Sequence, residues 1–122
     1  MGLWANENFT QTGQVTFYAN SFQGKKTTSG EPYQPTELTA AHATLPLNTY
    51  VKVHNLNNGK AVIVRINDRM SRRSRYIIDV SRAAAQKLGI IRAGMGKVKL
   101  LTLSKEAALA ELAQAENPEP KA

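Results

Sequence analysis

The chain of 122 residues contains no cysteine, which excludes disulfides, thiol nucleophiles and thiolate metal sites. It has only two histidines, His42 and His54, too few imidazoles to hold a metal centre, so neither metal nor cofactor is expected. No apolar run approaches the ~18 residues of a membrane span, and no secretory leader is visible. Acids are scarce as well, with 9 Asp and Glu against 16 Lys and Arg. Between Gly13 and Leu103 the only acids are Glu31, Glu37, Asp68 and Asp79, while only Lys105 and Lys121 of the basic residues lie outside that span. A carboxylate kept in so basic a body is either a structural pin or a working group. The net charge of +7 points to an anionic partner: nucleic acid, a membrane surface or an acidic polysaccharide.

What is present is short-period patterning. Gly13 to Ala19 alternates as a strand, with Thr16 and Tyr18 sharing one face. Asn20 to Pro35 is rich in Gly, Ser, Lys and Pro and is expected to be a long loop, and Leu38 to His42 a short strand. Tyr50 to His54 alternates, Asn57-Asn58-Gly59 is turn chemistry, and Ala61 to Ile66 is β-branched, which together predict a hairpin. The second arm is apolar at consecutive positions and so is expected to be buried on both faces. Arg75 to Val80 is another strand, Ser81 caps a short helix over Arg82 to Leu88, and Gly89 stops it. Lys97 to Leu103 closes the set. Many short strands with one small helix predict an all-β barrel with small α content, the helix packing one end. The expected division is an arm over residues 1–12, a barrel domain over 13–103 and a helical or linker tail over 104–122.

Six segments in order carry a resemblance. They are Gly13 to Tyr18, Thr27-Thr28-Ser29-Gly30-Glu31, Leu38 to Leu47, Val53 to Gly59, Val64 to Arg69, and Ile78 to Ala85. Together they resemble the rare lipoprotein A family, whose pattern at the second segment is Thr-Ala-Asn-Gly-Glu. The resemblance implies a six-stranded double-psi β-barrel, the fold of expansins and of one class of endoglucanases. It also implies a septal lytic transglycosylase of the bacterial cell envelope, in the periplasm or on an outer-membrane lipoprotein. Such an enzyme cuts the MurNAc–GlcNAc bond of peptide-free peptidoglycan to 1,6-anhydro products. This chain lacks the family's lipid-bearing cysteine and its C-terminal repeat. It also departs at Met70 to Arg75, where the family has Gly-Pro-Phe after Asn-Asp-Arg.

Each candidate residue has two readings. Asp68 is an Asx turn after a strand, or the general acid/base, which needs a carboxyl with raised pKa. The resemblance favours the second reading and places His42, alone a satisfied half-buried histidine, close to Asp68 as an orienting group. Glu31 is a solvated loop charge, or a substrate-contacting or auxiliary acid closing over the cleft. Asp79 either holds the helix start or serves as a second-rank acid at the substrate. Tyr18 is core, or a sugar-stacking ring beside Thr16. Asn67 and Arg69 flank Asp68, and Arg69 can pair with an acid or meet the substrate. The run Arg72-Arg73-Ser74-Arg75 is a solvated basic loop that would also suit the lactyl carboxylate of muramic acid. His54 and Glu37 read as surface residues. The expected partner is a peptidoglycan glycan strand bound by a monomer. The alternative is a non-catalytic, expansin-like glycan-binding module, favoured by the altered loop after Arg69. Nucleic acid is not expected, since basic residues and aromatics do not interleave.

Overall fold

The computed structural model describes residues 9–116, so residues 1–8 of the expected arm and 117–122 of the expected tail lie outside the described residues. Six strands are formed among the described residues: β1 (Thr10–Phe17), β2 (Thr39–His42), β3 (Tyr50–Asn55), β4 (Ala61–Arg69), β5 (Tyr76–Val80) and β6 (Gly96–Leu103). Helix α1 (Arg82–Leu88) sits between β5 and β6, and α2 (Lys105–Glu116) follows β6. The strands close in the order β1-β5-β2-β4-β3-β6. The β1/β5 and β2/β4 pairs are parallel and the other four antiparallel. Closure leaves no unpaired edge.

The predicted hairpin is β3 and β4, paired with Val51 opposite Val64 and Val53 opposite Val62. Val15, Val51, Val53, Val62, Val64, Ile66, Ile78, Val80, Val98 and Leu100 form the barrel interior. Each such side chain contributes about 1.5–3 kcal/mol by leaving water. On β4 the neighbouring Ile63 is buried too, in a groove beneath α2 lined also by Leu38, Lys52 and Leu112. The strand is therefore covered on both faces.

Strand β1 begins at Thr10, three residues before the expected domain start. Thr10, Gln11 and Thr12 pair with Leu101, Leu100 and Lys99 of β6, so their polar composition does not keep them out of the ladder. Ser81 accepts from the Ala84 amide (3.2 Å) at the start of α1, and Gly89 ends the helix at φ 74°, a left-handed conformation natural to glycine. Ala84, Ala85 and Leu88 pack into the barrel core, so α1 plugs one end as expected. The tail forms a second helix, tied to β3 by Glu111 and Lys52 (2.8 Å).

Candidate active site

The site is built on one row of residues across four strands. Thr16 on β1 pairs with Asp79 on β5, Asp79 pairs with Ala41 on β2, and Ala41 pairs with Asp68 on β4. Two strand spacings of ~4.8 Å put the two aspartate backbones roughly 10 Å apart, with a methyl group as the floor between them. A bulge between Ala40 and Ala41 sets this register. Beside Ala41 lie Tyr18, Tyr33 and Met70, with the two tyrosine rings stacked at 4.3 Å.

The two carboxylates live in opposite surroundings. Asp68 Oδ2 accepts from the Tyr18 hydroxyl (2.6 Å). Its Oδ1 accepts from the Thr28 amide (2.9 Å), the Thr28 hydroxyl (2.8 Å) and the Arg69 amide (2.9 Å). Partial burial pushes the Asp68 carboxyl up, but these donors outweigh it and hold the pKa below the ordinary value. The raised acidity threshold expected of Asp68 is thus corrected, because four donors aimed at one carboxylate favour its charged form. Asp79 is half-buried, and its Oδ1 is buried with no hydrogen-bond partner among the described residues. Burial, then the charge of Asp68, push the Asp79 pKa up to about 6. Of the two carboxyls, it is Asp79 whose surroundings favour the protonated form.

The remaining expected residues divide. Among the described residues Glu31 is not hydrogen-bonded to Asp68. Its carboxylate accepts from Arg65 (3.0 and 3.2 Å) and from the Asn67 side chain (3.1 Å), and these bonds lower its pKa. Asn67 is buried and occupied by that bond, while its backbone carbonyl accepts from the Ser29 amide (3.1 Å). Both therefore fasten the loop before β2 to β4.

His42 is buried with its ring turned toward β1. Nε2 meets Gln11 (2.8 Å), and Nδ1 accepts from the Thr44 and Leu45 amides (3.1 Å each). The ring is neutral, its pKa lowered to about 4 by burial and then by the nearby Arg69 charge. His42 stands next to Ala41 on β2, which pairs with Asp68, but His42 itself pairs with Arg69 and its ring bonds to Gln11 and not to Asp68. Among the described residues Arg69 pairs with no acid and instead donates to the His42 carbonyl (2.9 Å). Thr16 donates to the Gly94 carbonyl (3.3 Å), so it ties a neighbouring loop to the row.

Tyr18 is only 7% exposed, so its ring is core and its hydroxyl is the part that reaches Asp68; burial first, and then Asp68, push its pKa far up, which keeps it a donor. The exposed aromatic beside it is Phe22 (46%), edge-on to Tyr18 at 5.8 Å. Sequence reasoning passed over Thr28, Tyr33, Ala41 and Phe22. Only the pairing across β5-β2-β4 singles out Ala41, whereas Thr28 stands one residue inside a recognised segment. Among the described residues no group of His, Asp and Glu is arranged to hold a metal ion.

Comparison with known proteins agrees with this architecture. Residues 10–100 match the family described as lytic transglycolase. The chain is 53% identical over 92 residues to the endolytic peptidoglycan transglycosylase RlpA of Neisseria meningitidis serogroup A, covering 75% of this chain and 38% of that protein. It spans little more than a third of that relative's length. Among solved structures, Streptomyces papain inhibitor superposes with a TM-score of 0.64 at 23% identity, covering 79% of this chain and 96% of that one. The Clavibacter michiganensis expansin superposes with a TM-score of 0.64 at 20% identity, covering 80% and 52%. These two likenesses show the fold. The chain belongs to the lytic transglycolase family, in its rare lipoprotein A branch, and its barrel is a double-psi β-barrel.

Proposed function

We propose that this member of the lytic transglycolase family cleaves the glycan strands of peptidoglycan, with Asp79 carrying the proton and Asp68 as a fixed anion. The observation behind this reading is the pair of carboxylates flanking Ala41, one held charged by four donors and one whose Oδ1 is buried with no hydrogen-bond partner among the described residues. Pairs of titratable groups driven apart by their surroundings mark acid and base assignments. As the MurNAc C1–O4 bond breaks, Asp79 gives its proton to the departing O4. Positive charge growing on C1 and the ring oxygen is stabilised by the Asp68 carboxylate. The 6-hydroxyl of the same sugar then bonds to C1 and loses its proton to Asp79, which regenerates the acid and closes a 1,6-anhydro ring. One acid thus serves both halves of the reaction, and no water is consumed.

Glu31, Asn67, His42 and Arg69 act in this reading by holding the walls of the site, and Thr16 by holding the loop at Gly94. Arg72 and Arg73 project from a loop whose first residue, Met70, packs on the Tyr18 and Tyr33 cluster. We assign them to the lactyl carboxylate of muramic acid exposed when stem peptides are gone. The domain would act in the bacterial cell envelope as a monomer.

Digestion of peptide-free peptidoglycan, with mass spectrometry of the soluble products, tests this reading. Anhydro-sugars are expected. The altered loop Met70 to Arg75 favours a second reading, a wall-glycan-binding module without catalysis. Retained binding without soluble products would select it.

A further inference from the structure

The Asp68 carboxylate is held by a residue that does not belong to the barrel. Thr28 lies in the tight loop between Thr27 and Glu31, which is closed on itself in three places. The Thr27 amide donates to the Glu31 carbonyl (2.8 Å), as does the Thr27 hydroxyl (2.7 Å), and the Gly30 amide donates to the Thr27 carbonyl (2.9 Å). Gly30 turns the chain at φ 95°, which a side chain would strain. The closed loop is then pinned to β4 through the Ser29 amide on the Asn67 carbonyl (3.1 Å) and the Glu31 carboxylate on Arg65 and Asn67. From this perch Thr28 sends both its donors to one atom, Asp68 Oδ1.

We propose that Thr28 is a positioning residue for Asp68, its amide and hydroxyl fixing Oδ1 and the Glu31 latch on Arg65 and Asn67 keeping them in place. The inference rests on the role given to Asp68 above and adds to it the element that sets that role. The other groups facing Asp68 come from separate segments: Tyr18 just after β1, Asp79 on β5, Arg69 on β4 itself, and Tyr33 stacked on Tyr18. A change at Thr28 leaves all of these where they are. The latch is half open to water, the Glu31 side chain being 46% exposed, so it is the accessible end of the device.

The test is a pH titration of the Asp68 carboxyl carbon by NMR in the whole chain, followed by the pH profile of glycan cleavage. Thr28→Ala removes a donor to the charged form and should raise the Asp68 midpoint by roughly half a pH unit or more. Thr28→Ser, which restores the hydroxyl, should return it to the native value. Glu31→Gln leaves Thr28 intact but loosens the latch, and should move the midpoint in the same upward direction. The acid limb of cleavage should move with the midpoint in each variant. An Asp68 titration in Thr28→Ala and Glu31→Gln that superimposes on the native curve would overturn the proposal, whatever the activity. A midpoint that shifts in a protein releasing no glycan products would uphold the positioning role and refute the lytic reading instead.

Discussion

Asp68 and Asp79 are the same side chain in two surroundings, and the difference decides what each can do. A carboxylate that accepts four hydrogen bonds resists protonation, while one whose Oδ1 is buried alone resists losing its proton. Asp79→Asn should therefore cut glycan cleavage on the order of 10²- to 10⁴-fold while leaving binding intact, the usual loss when a general acid is removed. Cleavage rates should rise with pH as Asp68 ionises, below the ordinary carboxylate range, and fall again as pH passes about 6, where Asp79 loses its proton. A rate profile still climbing above pH 7 would count against Asp79 as the acid. Asp68 stood out in the sequence because it ends a β-branched run in an acid-poor body. Its role did not, since which of two aspartates keeps its proton depends on donors supplied by Thr28 and Tyr18, 40 and 50 residues away. The turn of the His42 ring toward Gln11 was not legible, since it follows from strand register that local sequence does not carry.

Among the elements, α1 was the easiest to foresee. Its cap Ser81 and its stop Gly89 are local chemistry, and the structure uses both as expected. Gly89→Ala should destabilise the fold by about 1–2 kcal/mol in chemical denaturation, the usual cost of a left-handed residue with a Cβ. The added carbon would also stand 2.9 Å from the Asn58 side-chain nitrogen. The β3–β4 hairpin was equally plain, from alternation against a Gly-containing turn. The start of β1 was not, because Thr10 to Thr12 are placed by pairing with β6 rather than by any apolar pattern of their own. The docking of the Thr27–Glu31 loop onto β4 was likewise hidden, because the ion pair between Glu31 and Arg65 joins residues 34 apart.

Across the whole molecule, charge and titration govern both binding and stability. Exposed Arg72 and Arg73 make no ion pair among the described residues, and attraction between exposed charges is screened over ~8 Å at physiological salt. The double variant Arg72→Gln/Arg73→Gln should weaken binding of peptide-free glycan up to roughly tenfold at low salt and much less at high salt, as isothermal calorimetry can show. Stability should carry opposing pH slopes. Asp79 has a raised pKa in the folded state, so its contribution is present below its ordinary value of 3.8 and is lost as pH rises through about 6. His42 has a lowered one, so its contribution is present above its ordinary 6.5 and is lost as pH falls through about 4. Asp79→Asn should then stabilise the protein at pH 7 by on the order of 1–3 kcal/mol, and should uncover a stability that rises steadily between pH 4 and 6.5, the window set by His42. The central claim, that Asp79 carries the proton, is tested most directly by the products of peptide-free peptidoglycan digested with native protein and with Asp79→Asn. The account predicts 1,6-anhydro disaccharides from the native protein and none from a variant that still binds the glycan. Release from Asp79→Asn at a near-native rate would contradict it.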